Sequence, residues 1–211
     1  MTLKVIIEHD EDTSSPAEDD GQWTLYSFSS RHVSYRDPES LGLSLDRDED
    51  GTPIIRSPGL RSKLRVGLAF FISYFEHGQC VWSLRGTGPQ CRFDSVSVAG
   101  LLVWEHKPGD MGARTREARA KDAAGFLTSY TAWCNGDTWY YRVEDEDGEA
   151  LDACGGFLGP DVGYMFDTAV ASVEARLSEP TTFEGDYDEA EDEWGAAVER
   201  LKARKPAEVV S

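Results

Sequence analysis

Residues 68–84 read LAFFISYFEHGQCVWSL. Two apolar, β-favouring runs, 68–76 and 80–84, are separated by His77-Gly78-Gln79, the pattern of a β-hairpin turning at a glycine. A third apolar run at 96–105 supplies another strand, and together these segments predict the centre of a sheet. The longest apolar stretch, 66–74 (VGLAFFISY), is far below the ~20 residues that a membrane-spanning helix requires and is expected to be core.

Upstream of this block, 3–8 and 22–29 (QWTLYSFS) are predicted strands, the second by its alternation of Trp23, Leu25 and Phe28, with an acidic loop containing Pro16 between them. Residues 36–60 are rich in Pro, Gly, Asp and Ser and are expected to form a long irregular loop region. Downstream, Ala120, Ala123, Ala124, Leu127, Tyr130 and Thr131 recur at three-to-four spacing, which predicts a helix over 115–131 ended by Asn135-Gly136. A second hairpin follows, with strands at 138–143 and 150–154 and a turn at Asp147-Gly148. Gly155, Gly156 and Gly159 break the pattern, and Met165, Phe166, Ala169, Val170 and Val173 predict a helix over 162–177. The expected fold is α+β: a mostly antiparallel sheet with two main helices packed on it, in a single domain over 1–177 with one core. Residues 178–211 form an acidic C-terminal extension anchored only by Phe183, Tyr187 and Trp194, for which a docked helix over 187–204 and a mobile tail are the alternatives.

The formal net charge is -18. Such a surface repels polyanions where nucleic-acid binders gain affinity by releasing counterions, so direct binding to DNA, RNA or anionic lipid is disfavoured and basic proteins are the expected partners. The acids concentrate at both ends, in Glu8, Asp10, Glu11, Asp12, Glu18, Asp19 and Asp20 and again over 179–199, whereas basic residues gather at Arg56, Arg61, Lys63 and Arg65 and at Lys107, Arg114, Arg116, Arg119 and Lys121. The N-terminal segment MTLKVIIEHD lacks the basic start and long apolar run of a signal peptide, so a cytoplasmic location is expected. Cys80, Cys91, Cys134 and Cys154 are accordingly expected to be reduced thiols.

The run Asp46-Arg47-Asp48-Glu49-Asp50-Gly51 matches the first half of a calcium-loop pattern, but the closing glutamate is replaced by Ser57 and Pro53 interrupts the loop, which leaves a solvated acidic turn. His77 and Cys80, with Cys91 and His106 downstream, include no CxxC pair, so buried cysteines acting as small apolar residues are expected rather than a zinc site. No GxSxG, GxxxxGK or HExxH motif occurs. No catalytic residue, metal or cofactor is assigned on this basis.

Several blocks together carry a resemblance. Tyr74-Phe75-Glu76-His77-Gly78, then Cys91-Arg92-Phe93-Asp94-Ser95, then Tyr141-Arg142-Val143-Glu144-Asp145-Glu146-Asp147-Gly148, and finally Asp152-Ala153-Cys154-Gly155-Gly156-Phe157-Leu158-Gly159 follow one another in order over residues 66–176. In this the chain resembles a family of small bacteriophage-encoded proteins, departing from it where Phe93 and Gly155 stand for tryptophan and Val96 for glycine. The resemblance implies a phage origin and no particular activity. The functional expectation is a phage accessory protein that binds and inhibits a basic host or defence protein in the host cytoplasm, as an acidic DNA mimic. Its partner-binding acids would be Glu144, Asp145, Glu146, Asp147, Glu184, Asp186, Asp188, Glu189, Glu191, Asp192 and Glu193. The alternatives are a small enzyme or ligand-binding domain with a pocket near His77, Asp94 and Cys154, and a structural or oligomeric phage component.

Overall fold

The computed structural model describes residues 3–18, 22–49, 51–145, 147–159, 162–174 and 181–185. In chain order the elements are β1 (Leu3–His9), a 3-10 turn (Pro16–Glu18), β2 (Thr24–Ser27), a second 3-10 turn (Pro38–Leu41), β3 (Leu43–Arg47), β4 (Pro53–Ile55), α1 (Pro58–Val66), β5 (Ala69–His77), β6 (Gln79–Leu84), β7 (Ser95–Val103), α2 (Arg116–Cys134), β8 (Thr138–Glu144), β9 (Ala150–Leu158), α3 (Val162–Glu174) and β10 (Thr181–Gly185). The fold is α+β, with three helices and mostly antiparallel sheets. The alternatives for 187–204 fall outside the described residues. The chain divides into two compact units: a central one, Ser15–Asn135, and a terminal one made of Met1–Ser14 with Gly136–Ser211.

In the central unit the hairpin at 68–84 forms as β5 and β6, joined at Gly78, inside a sheet of order β2-β7-β5-β6. β7 is buried without alternation from Val98 to Val103 because both faces of this sheet are covered. Phe70, Ile72 and Leu102 pack with Ala123, Phe126, Leu127 and Tyr130 of α2. Ala69, Leu101 and Val103 pack in a second cluster with Leu43 of β3 and Leu60 of α1.

The region 36–60 differs from the irregular loop expected of it. It holds the antiparallel pair β3 and β4, a 3-10 turn and the start of α1. Ser57, the residue that fails the calcium pattern, is the N-cap of α1: its Oγ accepts the Leu60 N–H at 3.3 Å, and Pro58 occupies the first turn, where its missing N–H costs no intrahelical bond. Between β3 and β4 the Gly51 N–H donates to the Asp48 carbonyl at 2.9 Å and the Asp48 carboxylate accepts from the Thr52 N–H at 2.8 Å.

α2 starts where Thr115 Oγ1 accepts the Ala118 N–H at 3.1 Å, and it runs three residues past the expected end at Thr131. Its last turn closes an exposed strand edge. β6 is the outermost strand, and its Trp82 N–H donates to Thr131 Oγ1 at 2.9 Å. One pair of residues further along the strand, the Asn135 side chain accepts from the Cys80 N–H at 2.9 Å and donates to the Cys80 carbonyl at 3.0 Å. Side chains of one helix therefore stand in for a missing neighbouring strand, which removes a template for edge-to-edge association.

The terminal unit has the order β10-β1-β8-β9, with β1 antiparallel to β8 and parallel to β10. Trp139, Tyr141 and Val143 alternate inward along β8 and meet Val5 and Ile7 of β1. Met165, Phe166, Ala169, Val170 and Val173 of α3 join the same cluster, on the face their spacing predicts.

Candidate functional site

β8 turns into β9 through the acidic block that the sequence singles out. The Asp145 carboxylate accepts the backbone N–H groups of Asp147 at 2.9 Å and Glu149 at 3.0 Å, so it caps the turn instead of facing outward. Glu144 is neutralised by Arg142, whose Nη1 lies 2.7 Å from its Oε1, and its side chain is only 12% exposed. Asp147 and Glu149 are exposed. Glu146, Asp186, Asp188, Glu189, Glu191, Asp192 and Glu193 lie outside the described residues; Glu184 is described only by its backbone, which pairs with Ile6 in β1.

The acids at the end of β1 lie at the other end of β8 from this turn, with Glu8 facing Tyr140 while Lys4 faces Glu144. A cleft of about 690 Å3 is lined by Glu8, His9, Asp10, Glu11, Asp12, Tyr140, Ala153, Cys154 and Gly155. Its geometry is set by two glycines in β9. Gly156 has φ of +79° and donates its N–H to Asp10 Oδ2 at 2.8 Å. At Gly155 a Cβ would stand 2.5 Å from that same oxygen. Only a chain without side chains at this pair of positions brings the β9 backbone against the carboxylate. Asp10 Oδ1 accepts the Asp12 N–H at 3.1 Å, while the Asp10 N–H and carbonyl are bonded to the Thr138 carbonyl at 2.8 Å and hydroxyl at 2.6 Å.

Glu8 accepts a hydrogen bond from the Tyr140 hydroxyl, which raises the tyrosine pKa, and lies 3.9 Å from Arg142. Glu8 and Asp10 are thus fixed by internal bonds, and Glu11 and Asp12 are exposed at the mouth. Among the described residues no three His, Cys, Asp or Glu side chains gather in a way that could hold a metal ion. What the cleft offers is rigidly placed negative charge, which suits lysine and arginine side chains.

The alternative pocket residues are distributed over both units. His77 and Asp94 meet in the central unit, with Nδ1 3.5 Å from Oδ2, and the Cys91 thiol donates to the same Oδ2 at 3.2 Å. Cys154 belongs to the terminal unit, where it is exposed. In the His77 cluster the carboxylate sits between imidazole and thiol, whereas nucleophilic catalysis places the base beside the sulfur. The block 91–95 is a self-closed turn: the Cys91 N–H donates to Ser95 Oγ at 2.9 Å, and the Ser95 N–H returns to the Cys91 carbonyl at 3.1 Å. It leaves Phe93 89% exposed. His106 stacks edge-on against Trp104, and Cys80 neighbours Cys134, so of the four His and Cys residues considered as metal ligands His77 and Cys91 meet at Asp94 while Cys80 and His106 take part in other contacts.

The charge follows the division of the chain. Residues 15–135 carry 14 Lys and Arg against 15 Asp and Glu, and the remaining residues carry 7 against 24, so the central unit has a net charge of -1 and the terminal unit -17. No helix among the described residues is long and apolar enough to cross a membrane. Comparison with protein-family models, with curated proteins and with solved structures gives no match for this chain.

Proposed function

We propose that this chain is a bacteriophage accessory protein that binds and inhibits a basic host or defence protein, its terminal unit occupying a groove in which the target holds DNA. The observation that carries this reading is the partition of charge, with -17 of the -18 in one unit. Duplex DNA presents one charge per ~1.7 Å of axis, so 17 net charges equal the phosphates of roughly eight to nine base pairs, the length of a typical protein groove. The cleft adds rigidity: Glu8 and Asp10 are held by Tyr140 and Gly156, so their positions are set before a partner arrives. Glu11 and Asp12 are exposed beside these fixed acids, and Asp147 and Glu149 are exposed at the other end of β8. The phage origin rests on the resemblance of the sequence blocks. Steering by such a field gives fast association that falls with ionic strength.

The test is capture from host lysate on the immobilised full chain at low salt and at ~0.5 M salt, where exposed charge contacts are screened. A DNA-binding or defence protein recovered at low salt, lost at high salt and displaced by duplex DNA is the expected result. A partner indifferent to both salt and DNA, or the absence of a specific partner, rules this reading out.

A further inference from the structure

Two of the four cysteines are neighbours in space although 54 positions separate them in sequence. The double hydrogen bond between the Asn135 side chain and the Cys80 backbone, at 2.9 and 3.0 Å, holds the last residue of α2, Cys134, against the first turn of β6. The bonded Asn135 thus brings Cys134 next to Cys80, both side chains pack half-buried against the cluster of Trp82 and Tyr130, and the two thiols influence each other's protonation. We propose that Cys80 and Cys134 are a reversible dithiol–disulfide pair, closed by hydroperoxides and reopened by small thiols.

The two sulfurs are not equivalent. The S–H of Cys134 stabilises a thiolate at Cys80 and lowers its pKa, against an opposing contribution from burial and from Glu76. The pKa of Cys134 is raised, by its interaction with Cys80 and by burial. Since the thiolate is the nucleophile, Cys80 attacks and Cys134 resolves. The Cys80 thiolate displaces hydroxide from hydrogen peroxide and becomes a sulfenic acid. The Cys134 sulfur then attacks the Cys80 sulfur, the S–S bond forms, and water leaves with the proton of Cys134. Two thiols and one peroxide give one disulfide and two waters; two equivalents of a small thiol reverse it, themselves leaving as a disulfide. The covalent bond staples the end of α2 to the edge strand.

Wild-type protein is treated with hydrogen peroxide under non-reducing conditions, and the cysteines are mapped by alkylation and peptide mass spectrometry. A cross-linked peptide pair containing Cys80 and Cys134, two hydrogens lighter than the thiol form and restored by dithiothreitol, is expected, with greater resistance of the oxidised protein to urea. Disulfides drawn through Cys91 or Cys154 instead, sulfinic acid at Cys80, or a Cys80 that does not react would overturn the proposal. A second measurement does not need oxidation: in Cys134→Ala the pH midpoint of Cys80 alkylation moves upward, and an unchanged midpoint shows that Cys134 does not activate its neighbour.

Discussion

Gly155 shows what a single missing side chain does. A Cβ there would stand 2.5 Å from Asp10 Oδ2 and 3.3 Å from the Cβ of Tyr140, and the carboxylate cannot retreat without losing its bond from the Gly156 N–H. Gly155→Ala is therefore expected to destabilise the terminal unit by about 1–3 kcal/mol, the usual cost of overpacking. Gly125, on the exposed face of α2 with open space around its Cβ position, is the control: Gly125→Ala should stabilise by roughly 0.5–1 kcal/mol through helix propensity. Urea denaturation of both variants decides it, and equal effects would remove the steric argument. Gly155 is visible in the sequence as a break in the strand pattern, but its partner Asp10 is not, because 145 positions separate the two.

His32 makes a second residue-scale case. Burial lowers its pKa. Its Nδ1 accepts the Ser34 N–H at 3.1 Å, its Nε2 lies 3.4 Å from the Tyr130 hydroxyl, and its ring meets the edge of Trp82. A histidine whose folded pKa is below its unfolded value binds protons first in the unfolded state. Its stabilising contribution is thus complete above the usual value of about 6.5 and declines as the pH falls through that value toward the lower folded one. Urea midpoints should drop between about pH 7.5 and 5.5, and His32→Gln should flatten the dependence. A slope that survives the substitution would assign it to other groups.

Elements were legible where periodicity is strong and hidden where pairing is distant. The hairpin at 68–84, the helix at 115–131 and the apolar face of α3 all follow from spacing that a local window contains. β3, β4 and α1 do not, because Pro53, Pro58 and a dense set of Asp and Gly residues give 36–60 the composition of a loop, although Ser57-Pro58 is itself a helix-start signal. The end of α2 carries information of another kind. Thr131 and Asn135 look like a core position and a helix stop, yet both satisfy the backbone of β6. Asn135→Ala removes both bonds to Cys80 and should cost about 1–3 kcal/mol, the range for leaving partly buried polar groups unpaired. Hydrogen exchange localises the effect: the Cys80 amide should lose protection while those of β7 keep it. Uniform loss across the sheet would mean that the edge is not held by this side chain.

At the scale of the whole molecule, the opposition between acidic ends and a more basic middle is plain in the sequence, and the division of the chain into two units assigns nearly all of the net charge to the terminal one. What no local pattern conveys is that 3–9 pairs with 138–144, a register set across more than a hundred residues, so the acids after Glu8 join the hairpin of β8 and β9. A net charge of -17 on the terminal unit repels itself, while the central unit at -1 has no such term. Screening therefore acts on one unit and leaves the other nearly unchanged. Raising sodium chloride from about 10 mM to about 500 mM shortens the screening length from about 30 Å to under 5 Å, so most of the repulsion between exposed carboxylates is removed. Hydrogen exchange followed by mass spectrometry separates the two units: peptides covering β8 and β9 should gain protection with salt, and peptides covering β5 and β7 should change little. The same salt that stabilises the terminal unit weakens its hold on a basic partner, so the two effects must run in opposite directions along one titration. Equal gains in both units would show that the charge partition does not govern stability, and partner binding that strengthened together with protection would exclude a docking mode built on exposed carboxylates.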